Sequence, residues 1–374
     1  MKYRLFFLFF LGMFVSCKQT GHKITGSGQS LQPQFAQGFE LKKYADFDIL
    51  IVKNAYPGAP QYQYVLHKTQ NTLPDSLSDL PVIKIPVQKI LVTSTTHLPA
   101  LEMLGVSNKL IAFPHTKYVS SPVFRRLIEE GKIKEAGKGM ELNTEVVLSL
   151  QPDLIMRFSS GNEHLQDKVF NQNNIPTIYN ADWMENNPLG RAEWIKVFGW
   201  LFDKEKKAYQ IFDTIVSRYQ NIKTKVLHDS LPVPRVFQGG LFGDKWFVPG
   251  GKSYAAQLIN DAGAKYLWNK DTHTGSVQVN FENVLLSLPQ ADIWLNPGMY
   301  PDKQNLLKSF PALSKFKVYQ NDKIYTYNLT RGVTGGVIYF EQSNAHPDWV
   351  LEDLYHIFYP VDKQYQFHFY QQLP

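Results

Sequence analysis

The sequence predicts an α/β protein: two Rossmann-like lobes with mostly parallel sheets, joined by one long α-helix, with a ligand cleft between them. Three observations predict this. Short apolar runs alternate with helical segments, as expected for parallel strands covered on both faces. The stretch from Asp203 to Val226 contains neither Gly nor Pro. One pattern also occurs twice. Glu145-Val-Val-Leu-Ser-Leu-Gln-Pro152-Asp153-Leu-Ile matches Glu282-Asn-Val-Leu-Leu-Ser-Leu-Pro289-Gln-Ala-Asp292-Ile-Trp, with one extra residue before the Asp. In each copy a Glu opens an amphipathic helix and Pro forces the exit toward a strand.

Composition narrows the class. A chain of 374 residues leads one to expect two domains, or one large one. With 44% hydrophobic and 19% charged residues it buries cores and is not a disordered chain. A single cysteine excludes a disulfide scaffold and a Cys-based zinc cluster. The net charge of +6 is nowhere gathered into a Lys/Arg block, so nucleic acid is not an expected partner.

The N-terminus reads as an export signal over residues 1–16. Lys2 and Arg4 precede the apolar run Leu5–Val15, which is too short to span a bilayer. Phe14-Val15-Ser16-Cys17 resembles a bacterial lipobox, with Phe14 where Leu is usual. The resemblance implies lipidation of Cys17 and attachment to a membrane. Cleavage before Cys17 removes Lys2 and Arg4 and takes the net charge from +6 to +4. Residues 17–38 then read as a lipidated cysteine and a flexible Gly/Ser/Gln-rich tether.

An N-terminal lobe is expected over residues 39–202. Ile49–Val52 and Tyr62–Leu66 are strand candidates about the turn Tyr56–Pro60. Strands follow at Lys89–Thr93, Leu110–Phe113, Asp153–Met156 and Thr177–Tyr179. Helices alternate with them at Leu98–Leu104, Pro122–Glu130, Asn143–Leu150 and Glu163–Asn171, the first two closed by Gly105 and Gly131.

The bridging helix is expected over residues 203–228. Ala208, Ile211/Phe212, Ile215, Tyr219, Ile222 and Val226 recur in steps of three and four, with Asp203 as N-cap. Leu231-Pro-Val-Pro234 restarts the chain, and residues 229–374 form the C-terminal lobe. Its strands are expected at Val236–Gln238, Asp292–Leu295 and Lys323–Tyr327. Its helices are expected at Ser253–Ala262, Phe281–Leu288, Lys303–Leu307 and Pro347–Phe358.

From about Lys89 onward the chain resembles the substrate-binding proteins of ABC importers for iron–siderophore complexes, heme and vitamin B12. The resemblance rests on Ser94–Gly105, Asn143-Thr-Glu145 with Pro152-Asp153, the bridging helix, Gly250–Tyr254, Phe281-Glu282 and His346–Leu354, in that order. It implies a monomer that takes its ligand between the lobes and hands it to a permease dimer with ATPase subunits. It also implies that Glu145 and Glu282, one per lobe, pair with permease arginines. Read from the residues alone, both could equally be first-turn carboxylates favoured by the helix dipole.

Ligands of open α/β sheets bind beyond the strand C-termini. That rule offers Ser94–His97, His115–Tyr118, Arg157-Phe158 and Asp182-Trp183 in the first lobe. In the second it offers Phe242 with Trp246, Met299-Tyr300 and Arg331. The ligand-binding candidates are His97, Trp183, Trp246, Tyr300 and Arg331, since rings and guanidinium groups suit a bulky, partly planar anionic chelate. Arg191 is a further residue that could reach the cleft.

An iron(III)–siderophore is the first expectation for the ligand, with cobalamin and heme behind it. No resident cofactor or protein-bound metal is expected, the chelate being cargo. A free zinc or manganese carrier would share the fold but needs three or four converging ligands, and the ten histidines are scattered. Catalysis is not expected. Gly250-Gly251-Lys252-Ser253 imitates the end of a phosphate loop, but Trp246 occupies the position of its first Gly, and no nucleophile elbow or H-E-x-x-H occurs.

Overall fold

A computed structural model of the protein describes residues 28–374 apart from 70, 139–140 and 229–230. The signal, Cys17 and the first part of the tether lie outside the described residues. Among those described, no helix is long and apolar enough to cross a membrane.

Each lobe is built on a sheet. In the first, the strands run in the order Thr177–Tyr179, Leu154–Arg157, Ile90–Val92, Leu110–Phe113, Lys134–Glu135, all parallel. Every residue of Ile90–Val92 and Leu154–Arg157 is buried. That is why these strands read as continuous apolar runs rather than alternating ones. In the second lobe, Lys265–Tyr266, Arg235–Gln238, Ile293–Leu295 and Ile324–Thr326 are parallel, and Gln371–Gln372 closes the edge antiparallel.

The bridging helix spans Glu205–His228, about 36 Å at 1.5 Å per residue. Ala208, Phe212, Ile215, Tyr219 and Ile222 form its buried face. It packs on Ile195–Leu201 from one lobe and Pro347–Phe358 from the other. Asp203 is not its N-cap. It sits in the left-handed region at φ 53°, turning the chain out of the preceding helix, and Lys204 O accepts the early bond from Ala208 N at 2.9 Å.

The internal repeat is structural. Asn143 and Asn280 cap the two helices Thr144–Leu150 and Phe281–Ser287, each side chain accepting a backbone N–H three residues on.

Two regions differ from the sequence expectation. Residues 29–84 form a five-stranded sheet, antiparallel through Gln29–Leu31, Phe39–Lys43, Phe47–Val52 and Tyr62–His67, with Val82–Lys84 added in parallel. One face joins the first-lobe core through Phe39, Leu41, Leu50, Val52 and Tyr64. The other packs Phe47, Ile49, Ile51 and Val65 under Leu77.

The tether expected to reach residue 38 therefore ends earlier. The Glu193 carboxylate accepts the N–H groups of Gln34, Phe35 and Ala36 at 2.7–2.9 Å. Glu185 accepts those of Gln37 and Gly38 at 2.8–3.0 Å. A segment poor in apolar side chains is thus fixed through its backbone, a contact made from more than 140 positions away.

Candidate functional site

The first-lobe strands deliver three loops to one place. Thr93–Thr95 follow Ile90–Val92, Pro114 and His115 follow Leu110–Phe113, and Phe158 follows Leu154–Arg157. Facing them, Gly336, Val337 and Phe340 come from the second lobe. Between the two sets lies a cavity of about 350 Å³. Its walls are mainly rings and small hydroxyls, which suits a ligand with flat apolar surfaces and a few polar groups.

Local bonds hold the loops. Thr93 Oγ1 accepts from Phe158 N at 2.8 Å, tying two strand ends together. His115 occupies the left-handed region at φ 54°, and the Glu135 carboxylate fixes that turn by accepting His115 N at 2.6 Å and Thr116 N at 3.0 Å. The His115 and Tyr118 rings lie 5.4 Å apart. Tyr118 is 49% and Phe340 53% exposed, so large apolar faces remain uncovered from both lobes.

The predicted ligand residues divide sharply. Arg331 is exposed and outside the lining, its Nη1 donating to Gly335 O at 2.9 Å and its backbone bridged to the lining residue Val337. Trp183 is half-buried and stands behind the wall, 5.7 Å from the Phe158 ring.

His97 does not line the cavity. It is fully buried at the start of the next helix, facing Phe198 at 6.3 Å, and burial pushes its imidazole down to about 4. Trp246 is also removed from the site. It lies in the antiparallel hairpin strand Lys245–Pro249, whose alternate residues point inward, and packs among Trp294, Phe310 and Phe281 in the second-lobe core. Tyr300 is partly buried on that same core.

Two arginines near the cleft are structural. Arg157 is buried in an ion pair with Asp167 at 2.7 Å, and Tyr179 donates to the same carboxylate. Arg191 bridges the lobes, donating to Asn344 Oδ1 at 3.1 Å and lying 3.9 Å over the Tyr254 ring.

Glu145 and Glu282 are exposed in the first turns of their capped helices. Among the described residues, no group of three or more His, Cys, Asp or Glu is arranged to hold a bare metal ion. Among the cavity residues missing from the sequence prediction are Val337 and Phe340 of the second-lobe wall. The glycines Gly332, Gly335 and Gly336 ahead of them were the available signal.

Residues 90–328 match the periplasmic binding protein family. The chain belongs to this family. A periplasmic binding protein is an extracytoplasmic solute carrier, and the matched span covers the first-lobe sheet, the bridging helix and the parallel strands of the second-lobe sheet.

An uncharacterized lipoprotein of Methanocaldococcus jannaschii is 23% identical over 257 residues, 65% of this chain and 60% of that protein. The chain thus spans about three-fifths of that relative's length. The high-affinity heme uptake system protein IsdE of Staphylococcus aureus is 24% identical over 62% of this chain and 76% of its own.

Among solved structures, a periplasmic heme binding protein from Pseudomonas aeruginosa aligns over 77% of this chain and 98% of its own, with TM-score 0.59 and 18% identity. An ABC-type Fe3+-hydroxamate transport system structure from Saccharomonospora viridis aligns over 73% and 94%, with TM-score 0.54 and 16% identity. These likenesses establish the two-lobed fold. The sheet of residues 29–84 precedes the family match.

Proposed function

We propose that this protein is the extracytoplasmic substrate-binding component of an ABC importer and captures a metal chelate, an iron(III)–siderophore first. The ring-lined interlobe cavity carries the reading. Its walls offer apolar faces and hydroxyls, a chemistry matched to an organic chelate, and Arg331 stands beside the lining residue Val337. The absence of a three-ligand cluster among the described residues disfavours a bare zinc or manganese ion.

Heme or cobalamin is the second reading. His115 and Tyr118 favour heme, since an imidazole and a phenol beside a flat pocket are suitable donors to a porphyrin iron. Relatives named for heme uptake and an Fe3+-hydroxamate system support the class without choosing within it. Absorbance and native mass spectrometry of the protein with a panel of ferric siderophores, cobalamins and heme test the assignment. Retention of none of them, or tight stoichiometric zinc, would overturn it.

Cys17 serves in this proposal as the lipid attachment point, so Cys17→Ser should move the protein from membrane to soluble fractions. Glu145 and Glu282 are the proposed contacts to a permease dimer. Two exposed first-turn carboxylates on one structural plan, one per lobe, suit a two-fold partner. Charge reversal at both should abolish uptake and leave ligand affinity unchanged. Loss of ligand binding instead would remove the docking assignment.

A further inference from the structure

The second-lobe wall of the cavity touches the first lobe along one strip. Gly332 and Gly336 lie directly on residues 118–120. A Cβ on Gly336 would stand 2.3 Å from Tyr118 O, and one on Gly332 would stand 2.8 Å from Ser120 Cβ. Ser120 Oγ donates to Gly336 O at 3.2 Å. The chain then enters the short helix Ile338–Gln342, which bears Phe340 toward the cavity.

At that helix sits Glu341, 1% exposed. Its Oε2 accepts the N–H of Ser120 at 2.6 Å and its Oε1 that of Ser121 at 2.8 Å. These are charge-assisted bonds from a second-lobe side chain to first-lobe backbone, roughly twice the strength of neutral ones. Gln342 Nε2 adds a bond to Oε1 at 3.3 Å. Glu102 stands nearby, its own carboxylate engaged by Ser121 Oγ at 2.7 Å.

We infer that Glu341 is the positioning residue of the ligand site. By gripping the Ser120 and Ser121 amides it sets the separation between Phe340 on one lobe and Tyr118 on the other. The reasoning rests on the cavity being the ligand site. At about 350 Å³ the cavity is near the lower end of ligand pockets, roughly 300–1,000 Å³. A bulky chelate therefore enters only when this strip parts, and the grip re-forms around a ligand that fits. Arg191 and Asn344 make a separate interlobe contact, Arg191 lying on the helix Pro188–Glu193 that packs on the bridging helix.

The test uses the full mature protein and two variants, first without ligand. Glu341→Ala should speed hydrogen exchange at the Ser120 and Ser121 amides at least tenfold and enlarge the scattering radius. Gly336→Ala, with Glu341 intact, should do the same because its Cβ has no room. Glu341→Gln keeps one acceptor oxygen and should fall between wild type and Ala. With hemin and an iron(III) trihydroxamate as probes, Glu341→Ala should raise the dissociation rate at least tenfold with the association rate unchanged or faster.

Unchanged exchange at both amides in Glu341→Ala would overturn the inference. So would faster exchange accompanied by unaltered dissociation of a probe that wild type binds. If wild type binds neither these probes nor any other chelate of the panel while the amides respond as expected, the chelate reading fails and the grip itself stands.

Discussion

Asp153 and Asp292 perform the same task in the two lobes. Asp153 Oδ2 accepts the N–H groups of Gln88 and Lys89, both at 2.9 Å, at the entry to the neighbouring strand Ile90–Val92. Asp292 Oδ2 accepts Arg235 N at 2.9 Å, at the entry to Arg235–Gln238. In both, the Asp backbone N–H returns a 2.8 Å bond to the neighbour's carbonyl. After the repeated helix, the residue just before each following strand is thus a carboxylate that pins the register of the adjoining parallel strand.

Replacing either aspartate with Ala should therefore cost about 1–2 kcal/mol, a value reduced by the exposure of both sites. The two losses should add within about 0.5 kcal/mol, since they lie in separate sheets. Urea unfolding of the single and double variants measures this.

Glu193 tests the N-terminal strap. It is fully buried, with three backbone N–H groups and Lys196 Nζ at 2.5 Å on one carboxylate. Glu193→Ala leaves a buried ammonium and several donors unpaired, a loss of about 3–5 kcal/mol. Protease should then cut near residues 34–38 in the native protein. Resistance equal to wild type would show that Glu193 does not hold the strap.

The buried His97 makes stability pH-dependent. Folded protein keeps it neutral down to about 4, whereas the unfolded chain protonates near 6.5. Between those values the unfolded state binds the extra proton. Stability is therefore complete above pH 6.5 and falls by on the order of 3 kcal/mol as pH drops to 4. Asp348, pushed up to about 6 by burial, acts with the opposite sign between its unfolded value and 6. The comparison is consequently between wild type and His97→Gln, whose denaturation midpoints should converge toward pH 4.

Trp246 and Phe340 separate core from site. Trp246→Ala removes a ring from the second-lobe core and should cost about 3–5 kcal/mol. Phe340→Ala should change stability by under about 1 kcal/mol, its ring being half exposed. It should weaken binding of whichever chelate the wild type retains at least tenfold. Calorimetric melting and ligand titration on both variants give the contrast.

Much of the fold was legible because its signals are local. The bridging helix announces itself by apolar steps of three and four, and the sheet strands by unbroken apolar runs. The N-terminal sheet was only half visible. Phe39–Lys43 carries two lysines, and its pairing with Phe47–Val52 is a tertiary fact. The helices Pro188–Glu193 and Ile195–Leu201 were missed because nearly all their residues are buried, so no polar face marks a period.

The site was legible only in part. Counting past strand ends located Ser94, His115, Tyr118 and Phe158, because topology sends strand C-termini to one edge. It failed for Trp246, where a hairpin turns the residue after the strand back into the core. It also failed for Phe340, since the glycines ahead of it mark a turn and do not tell that the five-residue helix after that turn is a cavity wall.

By itself the sequence determined the two-lobed α/β plan, the long bridge, and the amphipathic helix repeated in each lobe. Periodicity and capping act over a few residues and are written along the chain. Which rings face the cavity, which arginines are spent on ion pairs, and what holds the lobes together were decided by tertiary structure alone. Those outcomes depend on partners more than a hundred residues apart, such as Glu341 on Ser120 and Glu193 on Phe35. A buried carboxylate is worth keeping only where backbone donors converge on it, and the fold alone makes them converge.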